Sequence, residues 1–479
     1  MMTDPVLVHR RTFLRQSGVG LGAVALSHLL ARDGVGSTIA SANPTAPGVE
    51  GFPDHKPRAK RVVFLYMGGG PSQLETFDFK PKLAELDGQP MPDSYTRGQP
   101  IAQLQGLELR CMGPKANFSR YGQAGQEISD FLPWTAKVAD ELAIVRSMTT
   151  DQINHDPAHT VMNTGTSISG RPSMGSWVLY GLGSESQNLP GFIVLNSVGG
   201  RSPQSISSRQ WNNGFLPGRF QGMEFYSAGD PVHYIRNPPG ISRARQERLV
   251  GSVQELNLLR NDTVPHLEIE SRVAAYEMAF RMQASVPCLM DLSDEPQHIL
   301  QSYGTQGADG TFASNCLLAR RLLEQGVRFV QLYHRDWDHH DSLVPYMTTC
   351  CRLTDQPTWA LITDLKQRGL LDDTLIIWGG EFGRTPMFQG TGNGAGRDHH
   401  IQGFSMWLCG GGVRGGITYG ATDELGYAAV EDVAHVRDLH ATLLHLLGID
   451  HRRLTFKHQG LDFKLTGVNE AKVLHSLLT

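Results

Sequence analysis

The stretch at residues 372–400, DDTLIIWGGEFGRTPMFQGTGNGAGRDHH, decides the fold that we expect for this chain. Its apolar run TLIIW, residues 374–378, predicts a buried strand that ends at two glycines. Glu381 then stands at the carboxyl end of that strand. In an open parallel sheet, ligands bind in the crevice outside the carboxyl ends of the strands. The stretch therefore predicts a binding edge that includes Glu381.

Charged and polar residues follow Glu381 within the same stretch. They are Arg384, Arg397, Asp398, His399 and His400. Carboxylate oxygens and imidazole nitrogens are common protein ligands of divalent cations. The edge is therefore a candidate metal site, although each of these residues taken alone could also belong to a solvated loop.

The first predicted strand repeats this arrangement. It covers residues 61–67, RVVFLYM, and is followed by three glycines and then by Glu75 and Asp78. Two carboxylates therefore follow the end of a second strand, where they could join Glu381 as metal ligands.

A helix N-terminus follows another predicted strand, residues 142–148. Pro157 suits the first turn of a helix over residues 158–163, which predicts an N-cap at His155 or Asp156. The free N–H groups of a helix N-terminus favour an anion. Capping by Asp156 and anion binding can coexist there.

The densest polar cluster follows the predicted strand 328–334. The next seven residues read RDWDHHD. Such a density of acids and histidines at a strand end favours metal ligation over a solvated surface. One assignment of ligands is Asp338 with His340. The other is Asp336 with His339.

The order of elements predicts the fold class. Further strands are expected at residues 192–196 and 404–409, and helices at 128–140, 241–284, 311–325, 346–368 and 436–447. Strands that alternate with helices predict an α/β fold, with a doubly wound, mixed and mostly parallel sheet and helices on both faces. The chain has no GxGxxG motif between a strand and a helix, and no GxxxxGK[ST] or GxSxG, so dinucleotide, P-loop and serine-hydrolase sites lose their sequence support.

Length and charge limit the remaining possibilities. The chain has 479 residues, of which 40% are hydrophobic, enough for one large domain that we place at residues 60–479, with a long insertion near 199–300. The formal net charge of -4 gives no electrostatic support for nucleic acid binding. The six cysteines show no CxxC spacing, so neither a zinc knuckle nor a disulfide framework is indicated.

The N-terminus resembles a twin-arginine export signal. Residues 9–15, HRRTFLR, precede a weakly apolar segment rich in glycine and alanine, and the small residues ASA at 40–42 fit a cleavage site. We therefore expect a signal peptide at 1–42, a linker at 43–59, and a periplasmic or extracellular protein. No later run reaches the roughly 18 apolar residues of a spanning helix, so no membrane span is expected after cleavage.

Together these patterns predict one metal pocket assembled from three strand ends. We expect Asp338, Glu381 and His400 to share a common centre. A divalent cation, zinc, manganese or calcium, could activate water and hold an oxyanion of a phosphate or sulfate ester. Arg384 could supply charge to the oxygens of that group.

Longer motifs carry a resemblance to a known family. They are GGGPSQLETFDFKP, GRPSMGSWVLYGLG, GGEFGRTP, GRDHH and DLHATLLHLLGID, and the resemblance covers nearly all of the chain after the linker. The chain resembles the alkaline phosphatase and sulfatase superfamily. More closely, it resembles an exported bacterial, sulfatase-like branch that is catalogued as a domain of unknown function.

This resemblance implies roles for particular residues. Asp338 and His340 with His400 would form one metal half-site, and His399 is a further candidate ligand. Glu381 would stand at the second half-site with Glu75 or Asp78.

The sulfatase nucleophile region is similar to the stretch at 155–165, in which His155 takes the place of the nucleophile and His159 that of an arginine. Because no Cys, Ser or Thr stands there, the usual covalent route of sulfatases does not apply. His155 could itself be the nucleophile, or a cation could activate water directly.

The resemblance implies a metal-dependent hydrolase of sulfate or phosphate esters outside the cytoplasm, acting on a small-molecule or polysaccharide ester. Because the nucleophile is missing, the alternative is a non-catalytic exported binding or scaffold protein on the same fold.

Overall fold

The structure is a computed structural model, and it describes residues 48–479 apart from 202, 234, 238, 239 and 264–266. The predicted signal peptide at 1–42 lies outside the described residues. Within them the strands, numbered in chain order, are β1 Arg61–Met67, β2 Phe118–Tyr121, β3 Gln126–Ser129, β4 Leu142–Thr149, β5 Phe192–Asn196, β6 Met223–Phe225, β7 Phe329–His334, β8 Thr374–Gly379, β9 Gly383–Arg384, β10 His399–His400, β11 Phe404–Cys409, β12 Ile417–Tyr419, β13 Ala421–Thr422, β14 Ala429–Glu431, β15 Ala434–His435, β16 Phe456–His458 and β17 Leu461–Phe463.

The α-helices of the described residues fall mainly between the strands of the large sheet. They are α1 Pro81–Glu85, α2 Asp93–Thr96, α3 His155–Thr164, α4 Met174–Leu182, α5 Arg243–Thr263, α6 Leu267–Met290, α7 Gln297–Tyr303, α8 Phe312–Glu324, α9 Leu343–Gln367 and α10 Val436–Leu446. Helices α5 and α6 occupy the region expected to be a long insertion.

A nine-stranded sheet forms the centre of the molecule. Its strand order is β12-β4-β11-β8-β1-β7-β5-β6, and β15 also pairs with β4. Every pairing in it is parallel except those of β11, which runs antiparallel to both β4 and β8. The predicted mixed, mostly parallel sheet is therefore confirmed.

The helices pack on both faces of the sheet, as the contacts of alternating residues of β1 show. Val63 and Leu65 pack in one hydrophobic cluster together with residues of α8 and α9. Phe64 and Tyr66 pack in the other, with residues of α3, α4 and α10. Because successive side chains of a strand point to opposite faces, the two clusters lie on opposite sides of the sheet. Strands buried on both faces read as continuous apolar runs, which is why they were predictable.

One predicted element is wrong. The helix expected at 128–140 is instead the end of β3, which pairs with β2, followed by a 3-10 helix at Thr135–Glu141. Pro133 interrupts the run that suggested a helix. The first residues of that run belong to β3, which pairs with β2.

The described helices give no sign of a membrane crossing. None of them has both the length and the hydropathy that a span across a bilayer needs.

Candidate metal centre

The direction of β11 explains why its preceding residues reach the binding edge. Parallel strands β1, β7 and β8 end at one edge of the sheet, so the residues after them meet there. Since β11 is antiparallel to β8, it begins at that same edge. The segment just before β11, which includes β10, therefore lies beside the residues that follow β7 and β8.

Gly69 allows two of these segments to approach closely. It follows β1 with a φ of +121°, and a Cβ added there would lie 2.4 Å from the backbone nitrogen of Asp338. Its own N–H lies 3.0 and 3.2 Å from the two carboxylate oxygens of Glu381. The absence of a side chain at Gly69 therefore lets the loops after β7 and β8 meet across the end of β1.

Asp338 is the centre of a cluster with three histidines. One carboxylate oxygen, Oδ1, lies 2.9 Å from His340 Nε2 and 3.3 Å from His399 Nε2. The other, Oδ2, lies 3.2 Å from His155 Nε2 and accepts a hydrogen bond of 2.7 Å from the Gln204 amide. The structure thus brings together residues from α3, the loop after β7, and β10.

Hydrogen bonds at Nδ1 fix the orientation of two of these imidazoles. His399 Nδ1 donates to the carbonyl oxygen of Ile153 at 2.8 Å, since a carbonyl can only accept. His340 Nδ1 donates to Gln389 Oε1 at 2.6 Å, and the Gln389 amide nitrogen in turn donates to Gln103 Oε1 at 2.8 Å. In their neutral forms, both rings therefore present an Nε2 lone pair to Asp338.

These atoms have the spacing of a metal-ligand set. His340 Nε2 and His399 Nε2 are 2.9 Å apart, so two lone pairs face each other unless a positive charge lies between them. Ligands at about 2.0–2.2 Å from one ion are themselves about 2.9–3.5 Å apart. The three distances among Asp338 Oδ1, His340 Nε2 and His399 Nε2 all fall in this range. A possible metal-binding cluster of histidine and aspartate therefore exists, and the chemistry of its donor atoms fits a divalent cation.

His155 links this cluster to Glu381. Its Nδ1 lies 2.7 Å from Glu381 Oε1, while its Nε2 faces Asp338. Burial by itself lowers the pKa of His155, but the hydrogen bonds to Asp338 and Glu381 and their negative charges outweigh it and raise the pKa to about 9. His155 therefore holds two carboxylates together at the first turn of α3.

A second group of possible metal ligands shares His155 with the first and lies deeper in the molecule. Glu381, His155 and His159 also have the spacing of a ligand set. Glu381 is fully buried, and although burial raises its pKa, the nearby His159 and His155 bring the pKa below its usual value. His159 Nδ1 is hydrogen bonded to the Tyr66 hydroxyl at 2.7 Å, and its pKa is lowered by burial.

The upper part of the cluster is open to solvent. The side chains of His155, Asp338 and His340 are 18%, 16% and 20% exposed, whereas those of His159 and Glu381 are 1% and 0% exposed. The Asp338 side of the cluster is therefore accessible to solvent, and the Glu381 side is not.

Three of the residues predicted as ligands lie elsewhere. Glu75 forms a fully buried ion pair with Arg397 at 2.7 Å, and Asp78 contacts Lys80 and Thr422. Burial raises the pKa of Asp78.

His400 does not share a centre with Asp338 and Glu381. It donates from Nε2 to the carbonyl oxygen of Tyr427, and burial lowers its pKa to about 4. Glu75, Asp78 and His400 thus have other partners, and none of them belongs to a group with ligand spacing among the described residues.

Arg384 lies behind the cluster instead of facing its opening. It is fully buried, and its guanidinium donates to Asp338 Oδ1 at 2.6 Å and to the carbonyl oxygens of Gly69, Gly70 and Trp337. We assign it the positioning of Asp338 and not, as expected from the sequence, direct contact with an ester.

The alternative pair, Asp336 with His339, faces away from the cluster. His339 Nε2 donates to the backbone oxygen of Asp336 at 2.8 Å, and the Cys350 thiol donates to the same oxygen at 3.0 Å. Burial lowers the pKa of His339 to about 3. Of the two assignments left open by the sequence, the geometry selects Asp338 with His340.

Sequence reasoning missed the amides that support the cluster. Gln204, Gln103 and Gln389 contact Asp338 or His340 but lie in irregular segments without a motif. Tyr66, by contrast, belongs to β1, and its position one residue before the strand end was a usable signal.

A family model described as "Protein of unknown function (DUF1501)" matches residues 59–478. The comparison with curated proteins returned no match.

Several solved structures are similar to this chain at low identity. The lipoteichoic acid synthase LtaP from Listeria monocytogenes is 10% identical, with a TM-score of 0.35 over 90% of this chain and 78% of that chain. The phosphonate monoester hydrolase SpPMH from Silicibacter pomeroyi is 10% identical, with a TM-score of 0.33 over 81% and 73%. The PsFucS1 sulfatase from Pseudoalteromonas sp. is 12% identical, with a TM-score of 0.31 over 91% and 72%. With TM-scores this low, these likenesses carry no weight for the function of this chain.

Proposed function

This chain belongs to the family described as "Protein of unknown function (DUF1501)", and from that premise we propose that it is a metal-dependent hydrolase of sulfate or phosphate esters. One observation carries the proposal. Asp338 Oδ1, His340 Nε2 and His399 Nε2 lie 2.9–3.3 Å from one another, while the Nδ1 atom of each histidine is held by a separate hydrogen bond. Three protein ligands with an accessible side are typical of a catalytic metal site.

Asp338, His340 and His399 would hold a divalent cation, zinc, manganese or calcium. Such an ion supplies Lewis-acid charge to an ester oxygen and lowers the pKa of water when bound. The nearby start of α3 has no side-chain cap, so its free N–H groups favour the same anionic group. Both features draw the sulfate or phosphate group toward His155.

His155 is the proposed proton carrier. Its Nδ1 donates to Glu381, and its Nε2 faces Asp338 at 3.2 Å, next to the open side of the cluster. In hydrolysis, water replaces the alcohol on sulfur or phosphorus, so His155, protonated below its raised pKa, would donate its Nε2 proton to the leaving oxygen and regain one from the attacking water. Glu381 would hold the ring in position throughout, as a buried acceptor.

The test combines metal content with turnover. We expect the purified protein to carry a divalent ion by elemental analysis and to hydrolyse at least one of a set of chromogenic sulfate, phosphomonoester and phosphodiester substrates. Turnover should be lost in His399→Ala and retained in His298→Ala, an exposed histidine outside the cluster. Turnover that survives in His399→Ala, or a protein that binds no divalent ion, would overturn the proposal.

A non-catalytic binding protein is the second candidate. The supporting observation is that His155 stands where sulfatases carry a Cys or Ser, so no hydroxyl or thiol nucleophile is present at that position. A protein that binds the ion and an ester with no turnover across the whole substrate set would favour this candidate.

We also propose that the protein acts outside the cytoplasm, on small-molecule or polysaccharide esters. The twin arginines at 10–11 support export. A reporter fused to the full chain should reach the periplasm, and replacement of both arginines by lysine should retain it in the cytoplasm. Export that is indifferent to this change would contradict the assignment.

A further inference from the structure

A cavity of about 430 Å³ lies at the opposite end of α3 from the metal cluster. An adjoining cavity of about 150 Å³ is lined by Thr164 and Gly165, where α3 ends. A helix of ten residues is about 15 Å long. The cavity and the cluster around His155 are therefore two separate places, and nothing in the proposed hydrolysis uses the cavity.

Stacked aromatic rings form one side of this cavity. The ring of Phe215 lies 4.9 Å from that of His458 and 5.1 Å from that of Phe463, measured between centroids. His458 ends β16 and Phe463 ends β17, and these strands form a hairpin. Phe215, His458 and Phe463 are all partly exposed, so ring surface remains open to a ligand.

Arg171 places a positive charge over these rings. Its guanidinium carbon is 4.0 Å from the Phe463 centroid and 5.7 Å from the Phe215 centroid. Among the described residues no carboxylate lies within ion-pair distance of it, and no acid lines either cavity. The buried arginines Arg384 and Arg397, by contrast, each have a carboxylate partner. The donors of Arg171 are therefore available to an anion.

We propose that this cavity binds an anionic sugar that carries a sulfate or a carboxylate group. The planar guanidinium of Arg171 would donate to the oxygens of that group. The open ring surface of Phe215 and Phe463 would pack against the apolar face of the sugar, and the polar side chains of Ser169 and Gln459, which also line the cavity, suit its hydroxyl groups. The volume lies within the range of about 300–1,000 Å³ that small-molecule sites occupy.

Calorimetric titration of the full chain tests this site. The probes are N-acetylglucosamine 6-sulfate and glucuronate, with N-acetylglucosamine and inorganic sulfate as comparisons. We expect the anionic sugars to bind more tightly than either comparison. Arg171→Met, which keeps the apolar stem but removes the charge, should weaken their binding about tenfold or more.

Two controls separate this site from its surroundings. Arg219 also lies over an aromatic ring, at 4.8 Å from the Phe220 centroid, but outside the cavity, so Arg219→Met should leave the affinity unchanged. In His399→Ala the binding that depends on Arg171 should remain, because the cavity is independent of the metal cluster.

Four results would contradict the proposal that this cavity binds an anionic sugar. They are no binding of either anionic sugar, equal affinity for neutral N-acetylglucosamine, equal affinity for inorganic sulfate, and unchanged affinity in Arg171→Met. If thermal melting shows that Arg171→Met does not fold, Arg171→Lys decides the question. This variant keeps the charge but loses the planar donor pair, so affinity should fall by about threefold, and wild-type affinity would contradict the proposed contact.

Discussion

His399 and His400 are adjacent in the chain but lie in different environments. Both belong to the two-residue strand β10, which pairs with β9. Because neighbouring residues of a strand point to opposite sides, only one of them could join the metal cluster. From the sequence, His400 was expected to be the ligand and His399 a further candidate, and the motif GRDHH contains nothing that favours His399. The selection follows from the β9–β10 pairing, which places His399 opposite Arg384 and therefore beside Asp338.

Single substitutions of these histidines should have different effects. His399→Ala removes an Nε2 lone pair from the cluster, so we expect metal affinity to fall by at least about 100-fold with little change in folding. His400→Ala removes a buried ring and its bond to Tyr427, so it should lower the free energy of unfolding by about 2 kcal/mol while the metal content stays. Elemental analysis and urea unfolding measure the two effects. If His400→Ala loses the metal and His399→Ala keeps it, then His400 is the ligand and His399 is not.

Glu75 shows how a strand-end carboxylate can serve the fold. Its oxygens pair with the Arg397 guanidinium at 2.7 and 3.0 Å, and both side chains are fully buried. The partner is 322 residues away in the chain, so no local pattern could predict it.

Glu75→Gln should therefore reduce stability without affecting the metal. It leaves the buried charge of Arg397 without a counter-ion, at a cost of about 3 kcal/mol in the free energy of unfolding. The divalent ion content should match that of the wild type. A variant with unchanged stability and no bound ion would show that Glu75 is a ligand.

At the scale of elements, the central strands of the nine-stranded sheet were more predictable than the short strands outside it. The bounds of β1, β5 and β11 agree with the sequence to the residue, because burial on both faces leaves a continuous apolar run. β3 was missed because its existence depends on pairing with β2, which is not a local property. The junctions after the strands were recognised from their glycines.

Among these glycines, Gly69 is the one that lets the loops after β7 and β8 approach each other. A Cβ there would meet the Asp338 backbone, so Gly69→Ala should cost more than about 3 kcal/mol in the free energy of unfolding. Gly88 is a matched control, since it also has a positive φ, +78°, but an added Cβ meets nothing within 4 Å. Gly88→Ala should cost only about 1–2 kcal/mol. Equal losses in urea unfolding would refute the close approach at Gly69.

At the scale of the whole molecule, the sequence predicted that strand ends meet but not which side chains meet. Three strand-end segments were expected to converge, and those after β7 and β8 do so. The segment after β1 contributes the backbone of Gly69 instead of a carboxylate. The role of β10 depends on the antiparallel direction of β11, which an apolar run cannot reveal.

Acid should destabilise the whole domain through buried histidines, of which His334 is the simplest case. Burial and the charge of Arg335 lower the pKa of His334 to about 4. The unfolded chain gains this proton near pH 6.5, so the stability contributed by the neutral ring is complete above that pH and is lost as the pH falls toward 4.

Removal of this ring should make the domain less sensitive to acid. We expect the loss in the free energy of unfolding between pH 7 and pH 5 to be smaller by about 2 kcal/mol in His334→Leu than in the wild type. Urea unfolding with a chelator present measures this without a contribution from bound metal. The exposed His298→Leu should behave as the wild type does, and an unchanged pH profile in His334→Leu would contradict the shift.

The bond between His155 and Glu381 joins residues 226 positions apart. A ribosome must therefore deliver most of the polypeptide before the pocket exists, and an early fragment would have no means of capturing an ion. The ion that binds is therefore selected in the compartment where folding is completed. If the chain crosses a membrane already folded, the ions of the cytoplasm, and not those at its destination, decide the occupant.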